Sequence, residues 1–485
     1  MKSFGNYIGG KWTRSVTGKT SPNINPANRD QVVCEVQASN QQDVLAAFAA
    51  ASSGFETWRK IPSPMRGQML QQVIDAVRAR QEEFARALTL ENGKTLREAR
   101  TELASALKEA EFQAQQGRRL SGELIQSESP DVTCYVRREP LGVATIIAPW
   151  NFPISVACRK IFPALVAGNS VVLKPADFTP MATAMMIEVF DQVGFPPGVV
   201  NFITGRGSVI GDELVTNQAV RAISFTGSTE VGLGIARKVA DRQIKLQLEM
   251  GGKNPLVVLA DADLDAAVDA AFIAAYACSG QWCTSTSRAI IESPVYEKFL
   301  SRICEKAAAI KVGNGLDDST DMGPVAGPKQ YDTVMRYIEI GKKEGARLMV
   351  GGNAITKGEF AKGYYIEPTV FADVASGARI AQEEIFGPVL AVMKARDFDD
   401  ALAIANNTIY GLTSSIYTND LEKAQRFVDE IESGITHVNM HTAWKEPQAE
   451  FGGIKESGRG APEAGKAGAE FFTEYKSVYI RRKTR

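Results

Sequence analysis

The chain has 485 residues, 44% hydrophobic and 23% charged, with a formal net charge of -1 and only two histidines, His437 and His441. That length calls for two or three domains, and the balanced charge offers no basic surface for nucleic acid or an anionic membrane. Residues 1–6 lack the apolar core of a signal peptide, and no apolar run reaches bilayer length. The six cysteines are scattered without C-x-x-C spacing, which disfavours zinc or a disulfide scaffold and fits a reducing cytoplasm.

In chain order, the first 120 residues read mostly as helices after a short β start. Val44, Ala47, Phe48, Ala51 and Phe55 follow helical spacing. A second helix opening at Pro64 is expected to bury Met69, Leu70, Val73, Ile74 and Val77. From residue 143 the pattern alternates. Short β-branched runs at 143–148, 170–173, 199–203, 222–225 and 244–248 are separated by helical segments near 155–167, 180–193, 207–216 and 229–240. Such alternation indicates parallel βαβ units with ligands at the carboxyl ends of the strands.

A second α/β series starts at Pro255-Leu256-Val257-Val258-Leu259 and runs to about 445, with a helix over 421–431 that Gly434 is expected to stop. Two alternating segments stand apart, 132–138 and 477–482. Each looks like a strand in need of a partner, for which another subunit is a candidate.

Six residues or motifs carry chemistry. Cys283 follows Gly280-Gln281-Trp282, whereas an ordinary cysteine is a small buried apolar residue. The glycine admits close backbone approach, and flanking N–H groups can face an oxyanion. Glu249 lies 34 residues earlier, at the end of an apolar strand before Gly251-Gly252. A strand-end glutamate is usually just solvated; beside a glycine pair at a cleft it can be a general base acting through water. Nucleophile and base are thus available without histidine.

Asn151, in Pro149-Trp150-Asn151-Phe152-Pro153, is either a turn former or an oxyanion donor shielded from water by Trp150 and Phe152. Lys174 ends the strand Val171-Val172-Leu173 and precedes Pro175-Ala176-Asp177; a strand-end lysine is ordinarily a surface residue, but at a switch-point cleft it can bind ribose hydroxyls with Asp177. Gly205-Arg206-Gly207-Ser208-Val209-Ile210-Gly211 approximates a dinucleotide fingerprint with its second spacing one residue too long, weak evidence alone. Phe225-Thr226-Gly227-Ser228-Thr229-Glu230-Val231-Gly232 leaves a strand and opens a helix, whose bare N–H groups can hold a pyrophosphate.

Together, PWNFP (149–153), KPAD (174–177), FTGSTEVG (225–232), LEMGGKNP (248–255), GQWC (280–283), EEIFGPV (383–389) and FGGIKESG (451–458) closely resemble the aldehyde dehydrogenase superfamily over nearly the whole chain. The chain looks most like its succinate-semialdehyde and 2-oxoglutarate-semialdehyde dehydrogenase branch. The resemblance implies an α/β fold with a Rossmann-type cofactor domain (1–121 and 141–250), an α/β catalytic domain (251–455) and a small β oligomerisation arm (122–140 and 466–485). It implies that Cys283 is the nucleophile, Glu249 the base, and Asn151 with the Cys283 N–H the oxyanion hole.

On the cofactor side the resemblance implies Lys174 and Asp177 at the adenosine ribose and Gly227, Ser228 and Gly232 at the pyrophosphate. Glu384 and Phe386 would lie beside the nicotinamide ribose; Trp150, Gly207 and Gly211 join the cofactor set. Phe152, Arg159, Trp282, Trp444 and Phe451 are the implied substrate contacts. The substrate is a small aldehyde, oxidised through a hemithioacetal and a thioester, and the assembly a homodimer or homotetramer. Asp177, where the family often has glutamate in NAD users, favours NAD with some use of NADP.

Arg159 matches one arginine that grips the distal carboxylate in succinate-semialdehyde enzymes; its ordinary reading is a helix-surface or interdomain ion pair. The second such position is Ala277. Glu450 stands where proline is common, and Lys445 is a candidate for the missing positive charge. A neutral aliphatic or aromatic aldehyde is the alternative substrate. Glu249 argues against a CoA-acylating enzyme, and the intact Cys283, Glu249 and Asn151 set against a silent homologue. A redox-free cysteine hydrolase would need His437 or His441.

Overall fold

The computed structural model describes residues 2–482; residues 483–485, the end of the expected oligomerisation arm, lie outside it. An eight-stranded sheet runs, edge to edge, through Gly458–Gly460, Lys245–Glu249, Val220–Thr226, Val143–Ile147, Ser170–Lys174, Val200–Phe202, Asn6–Ile8 and Lys11–Thr13. Its middle five strands are parallel, and the flanking ones antiparallel. The strand order reverses between Val143–Ile147 and Val220–Thr226. The loops leaving those strands carry Trp150 and Asn151 on one side and Gly227 and Ser228 on the other, at the crevice where such sheets bind ligands.

The two-residue period of each strand builds two cores. Ala144, Ile146, Val171 and Leu173 pack toward the helices Ser63–Ala79, Leu96–Gln115, Pro153–Ala167 and Met181–Val193. Val143, Val172, Ile223 and Leu248 pack on the opposite face with Val44, Phe48, Ile210 and Ile235. In the expected first helix, Gln41–Trp58, the stripe is as read except that Phe55 is half-buried and Trp58 fully buried. In the second, Ser63–Ala79, Met69 is half-buried and the other four are buried.

A seven-stranded sheet holds Arg347–Val350, Thr369–Ala372, Val389–Ala395, Thr286–Glu292, Asn254–Val258, Thr413–Tyr417 and Ile435–Val438, parallel except at the Arg347–Val350 edge. Only residues 250–253 join Glu249 to Asn254. So short a link sets the carboxyl edge of the first sheet against the amino edge of the second, and the cleft lies between them.

Two expectations change. The strands Val132–Pro140 and Thr473–Arg481 pair with each other, antiparallel along their whole length, with Glu123–Ile125 on the outer side. Their partner is in the same chain because the helix Gly465–Phe471, packed with Leu96–Gln115 and Pro153–Ala167, returns the terminus to the first domain. That helix was expected within the arm.

Second, Gly434 does not stop the 421–431 helix. Leu421–Glu430 ends as Ile431 turns extended, at φ -74° and ψ 132°. Gly434 is needed instead for close approach, since a Cβ there would lie 2.0 Å from Gly452 O. Gly434→Ala therefore pushes on the 451–453 loop and should cost about 1–3 kcal/mol, as overpacking does. The check is a lowered thermal midpoint at fixed scan rate; an unchanged midpoint contradicts it.

Candidate active site

Cys283 precedes the strand Thr286–Glu292, after a turn in which Cys278 and Ser279 take φ of 52° and 57°. Non-glycine residues there cost roughly 1–2 kcal/mol each. The turn is over-determined: Cys278 N–H donates to Glu98 Oε1 at 2.6 Å and Ser279 Oγ to Gly323 O at 2.8 Å. Gly280 cannot carry a side chain, because a Cβ would meet Gly387 O at 2.2 Å. Cys283 is half-buried against Leu412, Phe451 and Ala464. Burial pushes its thiol up to about 12; Arg159 opposes this, while Glu249 and Glu384 add to it. In the resting site Cys283 is a thiol, so attack needs a proton acceptor.

Asn151 is buried just beyond Val143–Ile147, and its Nδ2 donates to Gln281 O at 3.1 Å. The amide thus points at the loop that carries the cysteine, as an oxyanion donor must. Glu249 ends its strand with Oε2 buried and unpartnered, and a Cβ on Gly452 would lie 3.1 Å from its Oε1. Burial and Glu463 hold the Glu249 carboxyl well above the usual range; Lys160 and Arg159 oppose them. A group so placed accepts a proton readily once water supplies one.

Behind these residues lies a buried ionic cluster. Lys160 pairs with Glu463 and also donates to Ser224 Oγ at 3.0 Å. Arg159 grips Glu109 at 3.1 and 2.9 Å, its third nitrogen lies 3.7 Å from Glu463, and its guanidinium stacks on Phe451 at 4.3 Å. Lys445 donates to the same Glu109 at 2.7 Å. Despite burial, Arg159 and Lys445 hold Glu109 down to about 2. Arg159 is thus in an ion pair, buried rather than on the helix surface.

Sequence reasoning missed Lys160, Glu463 and Glu109. A signal existed for two of them. Arg159 and Lys160 interrupt a helix, Pro153–Ala167, buried all round, and Glu109 falls on the apolar stripe of Leu96–Gln115. Nothing in the sequence marks Glu463, which only the fold brings here.

On the other side of the cleft, Lys174 donates to Asp177 at 2.6 Å and to Pro175 O at 3.0 Å. Asp177 is exposed and lines a cavity of about 380 Å³ with Phe178, Gly205, Arg206, Gly207 and Ser208. Gly207 starts the helix Gly207–Thr216; at it and at Gly211 a Cβ would meet nothing within 4 Å. Ser228 caps the helix Thr229–Lys238, and Gly232 lets that helix close on Met250, whose sulfur would lie 2.5 Å from a Cβ. At Gly227 a Cβ would meet the Phe225 ring at 2.5 Å.

Glu384 is accepted against bare Gly251 and takes the Gly252 N–H at 2.9 Å; burial raises its carboxyl to about 7. Phe386, at φ 57°, meets Trp150 edge-on at 5.3 Å. A pocket-sized cavity, a helix start with bare N–H groups and an inward carboxyl fit a dinucleotide.

Trp282 packs on Phe152 at 5.4 Å, while Trp444 is 49% exposed at the rim, so only one of these tryptophans is walled in. Glu450 faces Gly465, where a Cβ would lie 2.6 Å from its carboxylate, and accepts the Ala467 N–H. His437 is held between the carbonyls of Ser414 and Trp444, and His441 accepts from the Ala443 N–H. Neither is bonded to Cys283.

A cysteine, a carboxyl and an amide thus meet at a cleft in an α/β fold, with a cavity of about 380 Å³ beside Asp177. The sequence profile described as "Aldehyde dehydrogenase family" matches residues 12–478, and the chain belongs to that family. It is 42% identical over 476 residues to an alpha-ketoglutaric semialdehyde dehydrogenase of Bacillus subtilis, covering 98% of each chain. It is 40% identical to a 2,5-dioxopentanoate dehydrogenase of Saccharolobus solfataricus, covering 99% of each. The solved betaine aldehyde dehydrogenase of Staphylococcus aureus in complex with NAD+ superposes with a TM-score of 0.97 at 35% identity, covering 100% of this chain and 96% of that one.

The raised Cys283 thiol makes a prediction in the apo protein. Carbamidomethylation of the Cys283 peptide by iodoacetamide, followed by mass spectrometry, should climb about tenfold per pH unit from 7 to 10. A plateau below pH 9 contradicts the assignment.

Proposed function

We propose that the chain oxidises a carboxylate-bearing semialdehyde, of the succinate or 2-oxoglutarate semialdehyde class, to the corresponding acid, with NAD as preferred cofactor. The observation that carries the substrate class is the convergence of Arg159 and Lys445 on the single carboxylate of Glu109, in the shell of Cys283. Two cations on one anion leave positive charge beside the aldehyde's distal end.

Of the two, Lys445 is the open one. Arg159 is 6% exposed, with Glu109 and Glu463 around it, whereas Lys445 keeps 23% of its side chain exposed. Among the described residues its only partner beyond Glu109 is Ser155 Oγ at 3.4 Å. Two relatives named for the same substrate class support this reading.

Cys283 Sγ attacks the aldehyde carbon as its proton passes to water in the cleft. The oxyanion is held by the Asn151 amide and the Cys283 N–H. Bound nicotinamide dinucleotide supplies the hydride acceptor that turns the hemithioacetal into a thioester. Glu249 then takes a proton from water as its oxygen attacks the thioester carbon, the C–S bond breaks, and Cys283 is regenerated. Lys160 favours the charged form of Glu249 and Glu463 the protonated form, so the carboxylate is a ready proton acceptor. Lys174 and Asp177 would hold the adenosine ribose, Ser228 and the helix start the pyrophosphate, and Glu384 the second ribose.

Asp177 accepts ribose hydroxyls and repels a 2′-phosphate, while Arg206 in the same cavity tempers that repulsion, so some NADP use is expected. The three-stranded sheet exposes Leu124, Tyr475, Tyr479 and Ile480, a surface suited to a homodimer or homotetramer. Six free cysteines suit a reducing cytoplasm. Among the described residues no helix is long and apolar enough to cross a membrane.

Glu249→Gln should still give a first burst of reduced cofactor and then stall, because the thioester forms but is not hydrolysed; steady turnover sinks the base assignment. The substrate reading is tested by kcat/KM for succinate and 2-oxoglutarate semialdehydes against pentanal, with NAD and NADP. The wild type should favour the semialdehydes, and Lys445→Gln should cut that preference ~10–100-fold, the worth of a charged hydrogen bond. No preference in the wild type defeats the substrate class. A preference that survives in Lys445→Gln removes only Lys445, and equal efficiency with both cofactors removes the case from Asp177.

A further inference from the structure

We propose that Lys94 is a positioning residue for the oxyanion hole, setting where the Asn151 amide stands relative to Cys283. The inference goes beyond the reading above and rests on it at one point, Asn151 as oxyanion donor.

Lys94 and Glu102 form an ion pair at 2.5 Å with side chains 1% and 0% exposed. A buried pair of this kind is weak evidence for stability, since well-packed apolar residues do as well or better. Its contacts point to a different task. The Lys94 ammonium donates to Asn151 O at 2.7 Å and sits over the Phe152 ring at 4.0 Å. Glu102 Oε1 accepts the N–H groups of Ile154 and Ser155 at 3.1 and 3.3 Å, at the start of the next helix. Two residues before Lys94, Asn92 Nδ2 donates to Trp150 O at 3.0 Å.

The loop 150–155 is thus gripped through nearly every residue by one short stretch of chain, 92–102. That stretch holds the opposing loop as well. Glu98 Oε1 accepts the Cys278 N–H at 2.6 Å, and its Oε2 accepts the Thr95 N–H at 2.8 Å in the capping box of Leu96–Gln115. The first turns of a single helix therefore reference the amide loop and the cysteine loop to each other. Between the two loops runs the 3.1 Å contact from Asn151 Nδ2 to Gln281 O. Without Lys94 the Asn151 carbonyl has no partner among the described residues, its peptide can rotate, and the side-chain amide moves with it. A shift on the order of 1 Å at such a donor costs about 100-fold in rate.

The experiment is a double-mutant cycle on the single-turnover rate of NADH formation with saturating NAD and a semialdehyde, per active site titrated by burst amplitude. Lys94→Met should slow that rate ~10–100-fold in the wild-type background but less than about threefold in Asn151→Ala, because the two act as one unit. Alkylation of Cys283 should follow the wild-type pH profile, as the cysteine loop is held by Glu98. A merely structural lysine would lower the thermal midpoint and the fraction of titratable sites, not the rate per site.

Equal losses in both backgrounds, or no loss, overturn the inference. Asn151→Ala itself is expected to cost ~10²–10³-fold; a near-wild-type rate there ends the oxyanion assignment and this inference with it. A large Asn151→Ala loss beside an unaffected Lys94→Met ends this inference alone. If Lys94→Met does not fold, the pair Lys94→Met/Glu102→Gln, which leaves no unpaired buried charge, serves the same cycle.

Discussion

The interior of this enzyme is organised by the need to pair buried charge. Lys94 with Glu102, Lys160 with Glu463, and Arg159 and Lys445 with Glu109 are drawn from helices and an interhelical link of the first domain, a loop of the second and the returning carboxyl terminus. An ionised group left alone at such depth costs several kcal/mol, so each partner fixes the other's element in place. Removing Glu463, for example, would leave Lys160 without its counter-charge in the middle of a helix that has no exposed face.

This pairing holds two sheets end to end with an aqueous-chemistry cleft between them. The carboxyl edge of one sheet delivers Asn151, Glu249 and the cofactor surfaces, and the amino edge of the other delivers Cys283. Strain gathers at that seam. Cys278, Ser279, Phe386 and Ala464 all hold positive φ within the loops that face it, and each is adjacent to a residue with a chemical assignment or to its support. The charged pairs and the strained turns are complementary: the first anchor elements strongly enough for the second to persist.

Much of the reactive set was legible in the sequence because its residue types are unusual for their local pattern. A cysteine after Gly-Gln, a glutamate closing an apolar strand before two glycines, and an asparagine between aromatic and proline neighbours all break the background expected of a core. The parallel strands were legible for a related reason, since runs buried on both faces are continuously apolar. Harder were the features in which a residue looks ordinary locally. Glu463 sits in a glycine-rich stretch with no periodicity, and Gly434 resembles a helix stop although its real neighbour is the Gly452 carbonyl. The strands 132–140 and 473–481 were visible as strands, but their mutual pairing spans more than 300 residues of chain.

The sequence by itself determined the element types and the family resemblance, and pointed to a candidate nucleophile, base and amide, because those follow from local propensity and short motifs. Only the tertiary structure decided which charges face which. Ion pairing is a property of three-dimensional distance, and the partners of Arg159, Lys160 and Lys94 come from segments that no spacing rule connects to them. It likewise buried the Arg159 ion pair and left Lys445 as the open cation, since burial depends on how the two sheets and the terminus close over the cleft.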